Sequence, residues 1–141
     1  MVASSTKELR TTLRGTGHRL THPREAVLDL IAGRPEGFTA EEVSVELPSV
    51  GRATVYRTVR LLVDLGLVCK TARPDGTPRY TLATPGHHHH TLCVSCGAVA
   101  DFQECTVDAI LQALRAHADG PILGHRIEVY VLCNRCLERR G

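Results

Sequence analysis

The 141-residue sequence has no tryptophan, two phenylalanines, three tyrosines and one methionine. With so few aromatics the core is expected to be mostly leucine, valine, isoleucine and alanine. No stretch reaches the roughly 18 apolar residues of a membrane-spanning helix, and no apolar leader follows Met1. The expectation is a cytoplasmic chain with no membrane partner, in which thiols stay reduced and paired cysteines read as metal ligands before disulfides. Disorder is not the default either, because the hydrophobic fraction, 43%, is close to the globular norm. The length suits one ordinary domain or two of roughly 60–80 residues, a size that often leans on a metal or an oligomer interface.

Charge is unevenly placed. Through Leu82 there are 12 basic against 9 acidic residues; from Ala83 onward there are 5 against 6. The basic excess of the first half is a weak pointer to nucleic acid.

The start, Met1 to Thr6, is polar and expected to fray. Leu9, Leu13 and Leu20 begin an apolar face. Three helices are then predicted. Thr21-His22-Pro23-Arg24 opens the first, with proline in its first turn, and Gly33 and Pro35 close it. The Thr39…Glu42 capping box opens a short second helix. The third runs from Arg52 to Asp64, stopped by Gly66. Leu67–Thr71 and Arg79–Leu82 read as strands around the turn residues Pro74-Asp75-Gly76. Three helices and a hairpin are the order of a winged helix-turn-helix. Ala83-Thr84-Pro85-Gly86 is a linker, dividing the chain into 1–82 and 87–141. Beyond it, strands near Thr91–Cys93 and Ala98–Asp101 precede a helix over Thr106–Ala118. A last strand, Ile127–Val131, is expected to bury Val129. The fold class is therefore α+β, a winged helix followed by a small α/β unit.

Cys93-x-x-Cys96 and Cys133-x-x-Cys136 are identical pairs. Four thiolates suit tetrahedral zinc, and a closed four-ligand site leaves no position for a substrate. A redox motif would not need a second pair at the same spacing. Structural zinc is the better reading. Cys69, on the first wing strand, and Cys105 have no partner pattern; each reads as a small apolar residue or as a ligand.

His87-His88-His89-His90 ends three residues before Cys93. On an extended segment alternate side chains face opposite ways, so His87 and His89 would serve one site and His88 and His90 another. A solvated histidine run is the alternative. Asp101, Glu104, Asp108 and His125 are candidates for the missing ligands, and spacing alone does not assign them.

Together these segments resemble the ferric uptake regulator superfamily from about Leu9 to Cys136. The resemblance rests on Leu20–Arg24, on Ala53-Thr54-Val55-Tyr56-Arg57-Thr58, and on the histidine run leading into Cys93-Val94-Ser95-Cys96-Gly97. Gly124-His125-Arg126 and Cys133–Cys136 complete it. It implies an N-terminal winged helix, a C-terminal dimerisation domain, up to three metal sites and a homodimer bound to a double-stranded DNA operator. Arg24, Arg52, Thr54, Tyr56 and Arg57 would contact DNA, although as helix residues alone they could be ordinary surface. His87, His89, Asp108 and His125 match the dimerisation-domain metal site. His88, His90 and Asp101 match the regulatory site at the hinge.

Two departures from the family pattern stand out. The N-terminal histidine of the iron and peroxide sensors corresponds to Gly37, and the wing ligand beside the linker falls on Thr81 or Leu82. Cys69 sits where some zinc sensors carry a wing ligand. The preferred regulatory set is therefore Cys69, His88 and His90 with Asp101 or Glu104. A thiolate among imidazoles favours Zn2+, with Fe2+ or Mn2+ and peroxide sensing as alternatives. The zinc uptake regulator branch is the favoured one.

Two other classes compete. A zinc hydrolase or deaminase needs an open zinc and a nearby acid or base, which the closed cysteine set does not offer. A structural zinc-ribbon interaction module would keep the cysteines but need neither winged helix nor histidines. The expectation is a repressor, with no catalytic residue and no small-molecule substrate.

Overall fold

Ser5 starts the first helix. Its hydroxyl accepts the Glu8 amide while the Glu8 carboxylate accepts the Ser5 amide, a reciprocal cap that opens α1 (Thr6–Gly15). This corrects the frayed start expected through Thr6. The computed structural model describes residues 5–141, so the rest of that expectation, Met1 to Ser4, lies outside the described residues. Thr21 caps α2 (His22–Ala32), with Pro23 in its first turn. Thr39 and Glu42 form the reciprocal cap of α3 (Ala40–Glu46). Gly51 precedes α4 (Arg52–Asp64). The hairpin of β1 (Val68–Ala72) and β2 (Pro78–Leu82) follows, in a register that pairs Cys69 with Thr81.

Among the described residues four helices precede the hairpin, not the three predicted. Leu9 and Leu13, one helical turn apart, are sealed from solvent against Val27, Leu28 and Ile31, and this burial holds α1 in place. Phe38, Val55 and Leu62 complete the core. Each such side chain contributes about 1.5–3 kcal/mol by leaving water. The packed layer presents the outer face of α4 to solvent.

The second half is a three-stranded sheet in the order β4-β3-β5. β3 (His89–Cys93) pairs antiparallel with β4 (Val99–Phe102) and parallel with β5 (Glu128–Val131), the crossover carrying α5 (Asp108–Arg115). β3 begins two residues before its expected start and so takes in His89 and His90. α5 is shorter than expected at both ends. Val129, expected to be buried, is 42% exposed, because nothing in the protomer covers that face of β5. The short α6 (Asn134–Glu138), not anticipated, starts from Cys133. No helix among the described residues is long and apolar enough to cross a membrane.

The segment Glu36–Phe38 stitches the halves together. The Glu36 carbonyl accepts the Val99 amide at 2.8 Å, and Phe38 exchanges two backbone hydrogen bonds with Tyr80. Gly37 lies between them at φ +91°, where a Cβ would stand 2.9 Å from the Tyr80 carbonyl and 3.3 Å from a Val99 methyl. Only glycine fits that backbone without strain. Gly37→His should therefore lower stability by about 1–3 kcal/mol in urea unfolding and create no new metal ligand.

Candidate metal centres

Among the described residues the fold gathers three sets of potential ligands, each with its donor atoms within 4.8 Å of one another. They are Cys93, Cys96, Cys133 and Cys136; His87, His89, Cys105 and His125; and Cys69, His88 and His90.

The first set joins the end of β3 to the start of α6. Gly97, at φ +77°, turns the chain after the first pair, and the Gly97 amide closes onto the Cys93 carbonyl. Cys96 and Cys133 sulfurs are 3.7 Å apart. A disulfide requires about 2.05 Å. Four sulfurs on a tetrahedron about 2.3 Å from zinc stand about 3.8 Å apart, so the spacing fits the ion. Burial pushes the Cys93 thiol up, but amides of Cys133, Cys96 and Ser95 outweigh it and bring it to about 6. The Cys136 amide draws Cys133 down as well. Cys136 is raised: a hydrogen bond with Ser95 lowers it, and burial together with the other three thiols prevails. Amides aimed at sulfur stabilise thiolate, the form that binds metal.

His89 and His90 point to opposite faces of β3, and His87 and His88, in the segment leading into the strand, join them in the same order. His87 Nε2 and His89 Nε2 are 3.0 Å apart, and Cys105 Sγ is 3.1 Å from His125 Nε2. Each of these contacts brings two potential ligand atoms within reach of a single cation. Burial, then the neighbouring imidazoles, lowers the pKa of His89 and keeps it neutral. Asp108, expected in this set, is not among the gathered donors. It begins α5 with its side chain exposed, while Cys105, three residues earlier, is half-buried and turned to His125. The sequence leaves Cys105 open between a small apolar residue and a ligand, because a lone thiol ahead of a helix carries no spacing signal.

The third set spans the hinge. Cys69 lies on the wing strand β1, opposite Thr81, so the thiol stands beside the position where the family pattern places a ligand. Its sulfur is 3.5 Å from His88 Nε2. His88 Nδ1 donates to the Gly86 carbonyl at 3.0 Å, which leaves the Nε2 lone pair free for metal. His90 Nε2 is buried and has no hydrogen-bond partner; Asp101 Oδ1, 3.4 Å away, lies off the N–H direction. An orphaned imidazole nitrogen facing a thiol suits a cation. Burial lowers the pKa of His90, though Asp101 opposes this, and burial with Asp101 raises that of Cys69. Asp101 borders the set and accepts the Thr84 hydroxyl. Glu104 is exposed on the following loop and is not brought in.

On α4, Arg52, Tyr56 and Arg57 are exposed and Thr54 is half-buried. Arg60, which sequence reasoning did not single out, extends the same basic face and lines a groove with Tyr56, Arg57 and Lys70. Its signal was available as the i+4 neighbour of Tyr56. Arg24 is half-buried in the first turn of α2 and donates to the Arg19 carbonyl at 2.7 Å.

Among known proteins, a model of the ferric uptake regulator family matches residues 15–130. The peroxide operon regulator of Bacillus subtilis is 33% identical over 100% of this chain and 99% of its own. The Vibrio cholerae ferric uptake regulator superposes with a TM-score of 0.68 at 26% identity, covering 89% of this chain and 99% of that one. A zinc uptake regulator solved with zinc and DNA gives 0.68 at 26%, covering 96% and 94%. The chain belongs to the ferric uptake regulator family: it is a metal-responsive, DNA-binding transcription regulator and not an enzyme.

Proposed function

We propose that the chain is a zinc-sensing repressor of metal-uptake genes that acts as a homodimer on a palindromic operator. The observation that carries this reading is the thiol of Cys69 facing His88 and His90 across the hinge. A thiolate among imidazoles binds Zn2+ in preference to Fe2+ or Mn2+, which take harder ligand sets. Zinc held there ties the wing strand β1 to the sheet that begins with β3. The distance between two recognition helices is then set, and the population shifts toward the arrangement that matches two half-sites. The four-cysteine set would hold the second half together without sensing. The residues 1–82 act as the DNA-binding unit and 87–141 as the dimerisation and metal-binding unit, joined by 83–86.

The likeness to the peroxide operon regulator favours a second reading, a peroxide-responsive repressor. Gly37 speaks against it, because a side chain at that position has no room. Footprinting of an operator with apo protein and with zinc, ferrous iron or manganese tests the function. Protection independent of every metal rejects the sensor reading.

Dimerisation is supported by an uncovered apolar surface. Ile110 and Leu114, one turn apart on α5, are 60% and 49% exposed. Such a face is a liability unless a second copy covers it. Ile110→Asp should shift sedimentation from dimer to monomer, at a cost of roughly 2–4 kcal/mol of association energy.

A further inference from the structure

The DNA-facing end of α4 is not free in the isolated chain. Glu41, in the first turn of α3, makes an ion pair with Arg52 through Oε2. The same carboxylate oxygen accepts the Tyr56 hydroxyl at 3.2 Å. Arg52 Nη2 in turn donates to the Tyr56 hydroxyl oxygen at 2.9 Å, and its guanidinium lies 4.9 Å from the centre of the Tyr56 ring. Three side chains thus close a triangle on the surface that would meet a duplex. All are exposed, with Glu41 at 54% and Arg52 at 62%.

The fold does not require this carboxylate. The cap of α3 uses Glu42, whose side chain accepts the Thr39 amide and also pairs with Arg79. Glu41 has no such duty. It places a negative charge on a face meant for phosphates, where it repels the backbone and occupies the cation nearest to it.

We propose that Glu41 is a specificity-determining residue of the DNA-binding surface, holding Arg52 and Tyr56 in a closed triad that operator contact opens. The proposal rests on the reading of α4 as the recognition helix. On random duplex, a phosphate contact only replaces the pair Arg52 already has with Glu41, so little is gained. On the operator, base-edge contacts of Arg52 and Tyr56 supply more than the pair gives up. The latch therefore suppresses non-specific binding more than specific binding.

The test is Glu41→Gln in the zinc-loaded 141-residue chain, titrated by fluorescence anisotropy on operator and on scrambled duplex at several salt concentrations. Glu46→Gln is the control. It removes the same charge from the other end of α3, where Glu46 pairs with Arg34, away from Arg52 and Tyr56. Glu41→Gln should tighten binding to scrambled duplex by about fivefold per recognition helix. Operator affinity should rise less, so the specificity ratio falls. The salt slope should steepen by about one per helix. Unchanged or weaker binding to scrambled duplex, or an equal gain from Glu46→Gln, overturns the latch. Wild-type protein that binds no duplex with zinc would overturn the functional reading as well, which separates the two failures.

Discussion

Serine in place of Cys133 should unfold the second half of the chain and abolish retention of its tightest zinc. The four cysteines join the end of β3 to α6 across the sheet, and few other contacts reach that corner. Cys136 is buried, and the Cys133 amide donates to Cys93 Sγ at 3.4 Å, so one substitution disturbs both a ligand and the scaffold of another. Structural zinc contributes about 10–16 kcal/mol in small zinc-folded peptides, comparable to the whole stability of a domain. Losing one thiolate forfeits several kcal/mol of this. Circular dichroism should show a lower and broader transition, and native mass spectrometry should show the metal missing after dialysis against a mild chelator. The wild-type chain should reproduce that unfolding when stripped by a strong chelator. If Cys133→Ser kept both its transition and one equivalent of zinc, the knuckle would not be the structural site.

The second large effect belongs to Cys69→Ser. Cys69 is half-buried on an otherwise intact hairpin, so folding should hardly change. The hydroxyl is a poor zinc ligand, and losing a ligand costs at least the factor of about 100 seen when a supporting hydrogen bond is lost. The free zinc concentration that half-saturates operator binding should rise by that factor or more. Cobalt substitution gives an independent readout, because the thiolate-to-metal absorption that wild type shows in addition to those of the knuckle and the Cys105 set should be missing. Zinc affinity at the hinge should also fall as pH falls. Burial and Asp101 hold the Cys69 proton tightly, and zinc must displace it. An unchanged zinc response in Cys69→Ser would remove this thiol from the regulatory set.

Local chemistry made much of the fold legible in the sequence. Thr39 with Glu42, Pro23 after Thr21, and Asp75-Gly76 in the wing turn each satisfy a backbone requirement within four residues, so they mark element ends. α1 was harder to see because Leu9 and Leu13 are too few to define a helix until α2 buries them. Val129 misled for the opposite reason. Its alternation with Glu128 and Tyr130 is a strand signal, but the face it marks is uncovered in one protomer.

The candidate sites divide in the same way. Parity along the segment from His87 into β3 anticipates the two sets, because the strand begins at His89 and sends His89 and His90 to opposite faces. The choice between Cys105 and Asp108 is not local. It depends on the path of the loop from β4 to α5, which sets a half-buried thiol against His125 from the far side of the crossover. Gly37 shows a third case. Its sequence suggests only a missing ligand, whereas the fold shows a backbone crossing with no space for any side chain.

The proposed zinc-sensing role stands or falls on which metal drives operator binding. The direct measurement is operator binding by the 141-residue chain in anaerobic buffer, titrated separately against buffered free zinc and free ferrous iron. Zinc should drive half-maximal binding at a free concentration at least about tenfold below that of iron, as a thiolate–imidazole donor set requires. Half-maximal binding with iron at an equal or lower concentration would contradict it.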